Sequence, residues 1–190
     1  MIHYLSLLAF VLLVALAAGR GWMLRRRGIN AFLFGATDKS DFLLMPAVAL
    51  FLYSILASAF GLPLPAVLKT PFFIERAVSW LGLAVCAISL VWFALTLRSF
   101  GTSFRVGIDE HSADKLVTNG MFALSRNPIY VGFLAFFIGM LLIYPNVVMC
   151  VVFALLLAAI YRQILREEKF LRQHYGAEYV EYCRRVRRYL

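Results

Sequence analysis

Residues 129–161 read IYVGFLAFFIGMLLIYPNVVMCVVFALLLAAIY: two apolar runs, 129–144 and 147–161, parted only by Pro145-Asn146 and free of Lys, Arg, Asp and Glu. Proline breaks a helix interior, so the stretch reads as a helical hairpin with a short turn. At 1.5 Å per residue each arm covers only about 22–24 Å, against a hydrocarbon core of about 30 Å. The pair therefore stays shallow or continues as helix beyond Tyr161, and the charged pattern that follows favours continuation. Ala135 and Gly139 lie four residues apart, which permits close helix contact.

Outward from the hairpin, three further apolar runs precede it. Residues 2–18 are about long enough to span. No Lys or Arg comes before them and Arg20, Arg25, Arg26 and Arg27 come after. That order is the reverse of a cleaved signal peptide, so the run reads as a retained helix. Residues 42–60 form the second run, with Pro46 near its start. Residues 72–97 form the third, with Glu75 and Arg76 at one end and Trp80 and Trp92 as interfacial or packing aromatics. Between the second and third, prolines at 63, 65 and 71 require a tight turn.

Composition agrees. Of 190 residues 63% are hydrophobic and 15% charged, against about 45–50% and about 25% in soluble domains. The formal charge is +9, but the cations sit at the ends of apolar runs, where topology and anionic headgroups account for them; nothing indicates nucleic acid. Five spans would put the connector 19–41, the segment 98–128 and the tail on one side. Those regions hold five, four and eight Lys/Arg, seventeen of nineteen, leaving Lys69 and Arg76 opposite. The positive-inside rule makes the basic side cytoplasmic and the amino terminus external. With no organelle-targeting signal visible, a bacterial inner membrane is the expected home. The expected fold is all-α: a polytopic membrane protein of about five transmembrane helices, a hairpin at 129–161 and an amphipathic cytoplasmic carboxy-terminal tail. It reads as a single integral-membrane domain over 1–190, with three spans in 1–97 and the chemistry in 98–190.

Cys86, Cys150 and Cys183 are scattered, as are His3, His111 and His174, so neither a disulfide framework nor a metal site is expected. GxGxxG and GxxxxGK[ST] are absent. Ser125 has no partners for a hydrolytic triad.

The polar material instead concentrates around residues 116–132, LVTNGMFALSRNPIYVG, and residues 162–188. The first holds a turn at Asn119-Gly120, a cation at Arg126 and a helix-starting Pro128. The second begins as an amphipathic continuation of the helix, carries Glu167-Glu168, breaks at Gly176 and resumes as a helix over 177–188 displaying Tyr179, Val180, Cys183 and Val186. That second helix suits the membrane face. Because hairpin arms run antiparallel, Arg126 and Glu167-Glu168 come to the same end. An arginine there suits a ligand carboxylate, and the carboxylates suit an ammonium or ribose hydroxyls. The alternative is that Arg126 snorkels to headgroups while the glutamates pair with Arg162, Arg166 or Arg172 along their own helix.

LVTNGMFALSRNPIYVG resembles the "LV..G.Y...RHP.Y.G" signature of the isoprenylcysteine carboxyl methyltransferase family and its phospholipid-methylating relatives, and REEKFLRQHYGAEYVEYCRRVRR resembles the tail "EE..L...FG.EY..Y...V.R". The resemblance runs from about Arg98 to Arg188. It implies an all-helical membrane methyltransferase that uses S-adenosylmethionine. By that resemblance Arg126, Asn127, Pro128, Tyr130 and Gly132 mark the donor-binding loop and helix start, Gly120 the turn leading in, and Glu167 and Glu168 the acidic pair that contacts the donor. Arg126 and Glu168 are then the expected catalytic pair, and Tyr179 and Tyr182 occupy tail positions that close the site. Two departures stand out: the motif's histidine is Asn127, and the usual V-P-R is Val186-Arg187-Arg188. Both bear on the prenylcysteine substrate more than on the donor. The expected acceptor is a lipophilic or prenylated molecule reached from the bilayer, carrying a carboxyl, amine or thiol. An amine or thiol would need a base, for which Glu168, His111 or His174 are candidates, and Arg105 could fix an anionic acceptor or bind headgroups. The alternatives are a non-catalytic membrane partner that keeps the fold and, less well supplied with cofactor surface, an NADPH-dependent reductase.

Overall fold

Each apolar run forms a helix. A computed structural model describes residues 1–26, 45–66, 70–100 and 116–190; the expectations for the connector 28–41, Lys69, Arg105 and His111 fall outside them. Among the described residues the regular structure is helical throughout: α1 (Ile2–Arg25), α2 (Met45–Phe60), α3 (Arg76–Ser99), a short 3-10 turn (Gly120–Ala123), α4 (Pro128–Ile143), α5 (Val147–Tyr175) and α6 (Ala177–Arg185).

Three of these, α1, α3 and α5, are long and apolar enough to cross a bilayer; the apolar parts of α2, Val48–Phe60, and α4, Pro128–Ile143, are shorter. The five apolar runs are thus five helices, three of full spanning length. Large apolar side chains such as Leu8, Val11, Ile88, Val91, Val151 and Leu155 point outward from the long helices. Water would penalise that surface and lipid does not, so the chain is an integral membrane protein.

Boundaries moved where polar residues continue a helix. The first helix runs past residue 18 to Arg25, because long basic side chains carry their charge out to the headgroup level while their stems stay on the helix. The second arm of the hairpin does not stop at Tyr161; α5 continues to Tyr175, about 43 Å of helix. The third run starts later than expected. Residues 72–75 are not helical, and the Phe72 amide donates to the Pro145 carbonyl at 2.7 Å, tying this loop to the α4–α5 turn.

The helices alternate in direction. His3 stacks on Tyr144 with ring centroids 5.2 Å apart, and Ser6 Oγ lies 2.6 Å from the Tyr144 hydroxyl. Tyr4 meets Phe60 edge-on. The start of α1, the end of α2, the start of α3 and the α4–α5 turn therefore share one end. Arg25, Ser99, Pro128 and the tail share the other, the basic end.

The hairpin reading needs one refinement. The chief neighbour of α4 is α3, not α5. Gly139 meets Gly82 there: a Cβ on Gly139 would lie 2.7 Å from the Gly82 carbonyl oxygen and 2.6 Å from Cys86 Sγ, and a Cβ on Gly82 would lie 2.6 Å from the Gly139 carbonyl oxygen. Two facing glycines let these backbones approach as neighbouring arms with larger side chains cannot. Around the seam Phe51, Phe93, Phe136, Met140, Val148 and Val152 form the buried core.

Candidate functional site

The chain returns toward α4 through the turn at Asn119-Gly120. Gly120 has φ +59°, and a Cβ there would sit 2.5 Å from Ser99 Oγ, so a side chain is excluded by both backbone conformation and space. Ser99 Oγ accepts from the Met121 amide at 3.1 Å, anchoring the 3-10 turn to the end of α3. Phe122 is buried edge-on against Phe100 at 4.6 Å. Ser125-Arg126-Asn127 then cross the basic end, and Pro128 opens α4 at its first turn, where a missing N–H costs nothing. Trp92 Nε1 donates to the Pro128 carbonyl at 2.7 Å. Gly132 makes room for the same indole: a Cβ would lie 3.1 Å from Trp92 Cδ1.

The tail closes on this crossing. Gly176, at φ +52°, breaks α5 from α6. The amphipathic face of α6 packs on the protein rather than the membrane: Tyr179 and Tyr182 are buried, and the Tyr182 hydroxyl donates to the Phe122 carbonyl at 2.7 Å. Burial pushes the Tyr182 phenol up to about 12 and raises Tyr179 as well, so both remain protonated donors at neutral pH. Helix α6 ends at Arg185, short of the expected 188, because Val186 turns extended (φ −122°, ψ 132°). The following residues bend back onto the crossing. The Arg126 amide donates to the Arg187 carbonyl at 2.9 Å, and Asn127 Nδ2 and Ser125 Oγ donate to the Arg188 carbonyl at 3.1 and 3.3 Å. The turn survives without the family's proline because these three bonds hold it.

The charged groups meet beneath this strap. Glu168 Oε1 lies 3.2 Å from Arg126 Nη2. Arg188 takes the same carboxylate bidentately, Nε to Oε1 at 3.0 Å and Nη2 to Oε2 at 2.7 Å. Arg126 and Glu168 are 13% and 14% exposed and Arg188 35%, so the cluster is largely shielded from solvent. The bond from Glu168 raises the affinity of Arg188 for its proton. Arg126 Nη1 also contacts Cys183 Sγ. One buried donor, Arg126 Nε, has no hydrogen-bond partner among the described residues. Beside the cluster, Glu167 Oε1 accepts from the Tyr130 hydroxyl at 2.7 Å and from Gln163 Nε2 at 2.9 Å.

Of the residues singled out in the sequence, Arg126 and Glu168 meet directly, and Tyr130 and Glu167 pair beside them. The ion pairs of Glu168 reach across to Arg126 and Arg188, off its own helix. Gly120, Pro128 and Gly132 hold the crossing against α3, and Asn127 ties down the tail. His174 stacks on Phe170, 5.5 Å between ring centroids. The sequence did not mark Arg188, Cys183 or Gln163 as site residues, nor the bond from Trp92. The one available signal for Arg188 was the V-x-R ending of the tail motif, which shows no spacing relation to Glu168.

Fold and cluster together define an integral membrane protein with a shielded charged site at its basic end. Residues 77–178 match the phospholipid methyltransferase family over more than half the chain. The chain belongs to that family. A probable protein-S-isoprenylcysteine O-methyltransferase of Oryza sativa subsp. indica is 38% identical over 112 residues, 57% of this chain and 59% of the relative. Protein-S-isoprenylcysteine O-methyltransferase B of Arabidopsis thaliana is 36% identical over 90 residues, 47% of this chain and 45% of the relative. The Saccharomyces cerevisiae protein-S-isoprenylcysteine O-methyltransferase is 34% identical over 95 residues, 48% of this chain and 40% of the relative. The chain thus spans less than two thirds of the length of these relatives. The family match stops at Glu178, before Cys183 and Arg188.

Proposed function

We propose that the protein is an S-adenosylmethionine-dependent methyltransferase acting on a lipophilic acceptor, with residues 98–190 as its catalytic half and the basic end in the cytoplasm. The observation that carries this reading is the Arg126–Glu168–Arg188 cluster beside the Tyr130–Glu167 pair. The chemistry of that set suits the donor: the unsatisfied Nε of Arg126 suits its carboxylate, and Glu167 with Tyr130 suits its ammonium and ribose hydroxyls, while Glu168 holds the two guanidiniums in place. Bound there, the donor supplies a methyl group on a sulfonium sulfur, whose positive charge is lost as the methyl leaves.

The chain's own part is positioning and exclusion of water. Arg126 orients through its guanidinium, Tyr130 fixes Glu167, and the strap of residues 186–188 shields the cluster from solvent. A shielded site strengthens each of these polar contacts and holds the reacting atoms in line. Both oxygens of Glu168 are taken by guanidinium donors, which leaves it ill placed to abstract a proton. A carboxylate acceptor needs no base and is therefore favoured over an amine or thiol. The basic residues gathered at that end, Arg25 and Arg26 of α1, Arg126 and the arginines of the tail, support a cytoplasmic basic end and an external amino terminus by the positive-inside rule.

The test is transfer of a tritiated methyl group from S-adenosylmethionine, by protein in lipid nanodiscs, to an N-acetylated S-farnesylcysteine and separately to phosphatidylethanolamine. Base-labile label on the farnesylcysteine is the expected result, since a methyl ester hydrolyses to volatile methanol. Base-stable label on phosphatidylethanolamine would replace the carboxylate acceptor with an amine.

A further inference from the structure

Arg188 lies outside the family match and was not among the site residues named from the sequence, yet it makes the best-formed ion pair in the cluster. Two guanidiniums share one carboxylate, and they share it unequally. Arg188 approaches side-on with two short bonds, while Arg126 reaches one oxygen at 3.2 Å and keeps a buried Nε without a partner among the described residues. Glu168 thus gives two bonds to Arg188 and one to Arg126. The cluster Arg126, Arg188 and Glu168 carries one positive charge in excess, and it is least compensated at Arg126, which is 13% exposed with an unpartnered Nε among the described residues, whereas Arg188 is 35% exposed to solvent. A buried charge in excess calls for an anion.

We infer that Arg188 is a positioning residue for donor binding: by occupying Glu168 it keeps Arg126 available for the carboxylate of the donor's amino-acid end. The strap exists to deliver this side chain. Ser125 and Asn127 hold the Arg188 carbonyl, and the Arg126 amide holds that of Arg187, so the guanidinium reaches Glu168 from a fixed backbone. Without Arg188 the Arg126 side chain closes bidentately on Glu168, the pair becomes neutral, and the donor's carboxylate loses its partner. Because a neutral pair remains, the fold tolerates the loss. The inference rests on the proposed donor and sharpens what that donor's carboxylate requires.

The experiment is calorimetric titration of full-length protein in nanodiscs with S-adenosylmethionine and with its decarboxylated analogue, for wild type, Arg188→Gln and Arg188→Lys. Wild type is expected to prefer the carboxylate-bearing donor. In Arg188→Gln that donor should weaken about tenfold while the decarboxylated analogue changes less than about twofold, and Arg188→Lys, which keeps the charge but not the bidentate geometry, should fall between. Equal weakening of both ligands would reduce Arg188 to a tail anchor and overturn the inference, as would no change in either. Should Arg188→Gln fail to fold, the ratio in Arg188→Lys decides alone: an unaltered preference overturns the inference. A wild type that binds neither ligand overturns the donor reading itself, and the inference with it.

Discussion

Two places where this molecule brings backbone segments together work by opposite means. At the α3–α4 seam Gly82 and Gly139 remove side chains so that carbonyls and helix axes approach, and the side-chain bonds that cross it are few: the Cys86 thiol to the Phe136 carbonyl and, near the basic end, the Trp92 indole to the Pro128 carbonyl. At the basic end the crossing 125–127 and the strap 186–188 are joined by side-chain and backbone hydrogen bonds and by Glu168 between two arginines. In lipid no hydrophobic force drives one apolar helix onto another, so shape must do it. At the basic end, chain without regular structure must satisfy its own polar groups. The first arrangement builds a scaffold that any apolar helix pair could share. The second builds a charged site, and a charged site is where function resides.

That contrast can be broken at each seam. Glu168→Gln leaves Arg126 and Arg188 facing each other with no anion between them, and truncating the partner of such shielded charges costs about 2–5 kcal/mol. The expected outcome is a large drop in the thermal midpoint of detergent-purified protein together with loss of donor binding. Gly139→Leu forces a side chain into the Gly82 carbonyl, an overpacking worth about 1–3 kcal/mol or more. It should lower the yield of monodisperse protein in gel filtration whether or not donor is present.

Smaller changes sharpen the comparison by separating stability from binding. Tyr130→Phe removes one bond to Glu167, a loss of about 1 kcal/mol, and should weaken donor binding several-fold while lowering the melting temperature by only a few degrees. Asn127→Ala loses the bond to the Arg188 carbonyl, about 0.5–1.5 kcal/mol, read as faster proteolysis of the tail. Asn127→His, which restores the family's residue and can still donate to that carbonyl, should leave the tail as protected as in wild type.

The helices were legible in the sequence because burial in lipid depends on long apolar runs, which residues 2–18, 72–97 and 129–161 display without needing any partner. Where a helix ends was less legible: α1 and α5 extend past their apolar runs because arginines and amphipathic turns continue a helix at the headgroup level. The meeting of Arg126 with Glu168 followed from antiparallel arms and from motif resemblance. Arg188 did not follow. Its place depends on an extended Val186 and three backbone-directed bonds, tertiary features with no period or composition of their own. Gly132 illustrates the converse. The motif marks it, and the structure adds a physical reason for a glycine there, the room it leaves for Trp92.

The central claim, that the cluster at the basic end is a site for S-adenosylmethionine, is tested most directly by calorimetry on the purified full-length protein, wild type beside Arg126→Ala. This variant leaves the neutral Glu168–Arg188 pair in place, so it should stay folded. Saturable binding to wild type that is lost in the folded variant is the expected result. Absence of binding to folded wild type at millimolar donor, or binding unaffected by the loss of Arg126, would contradict it.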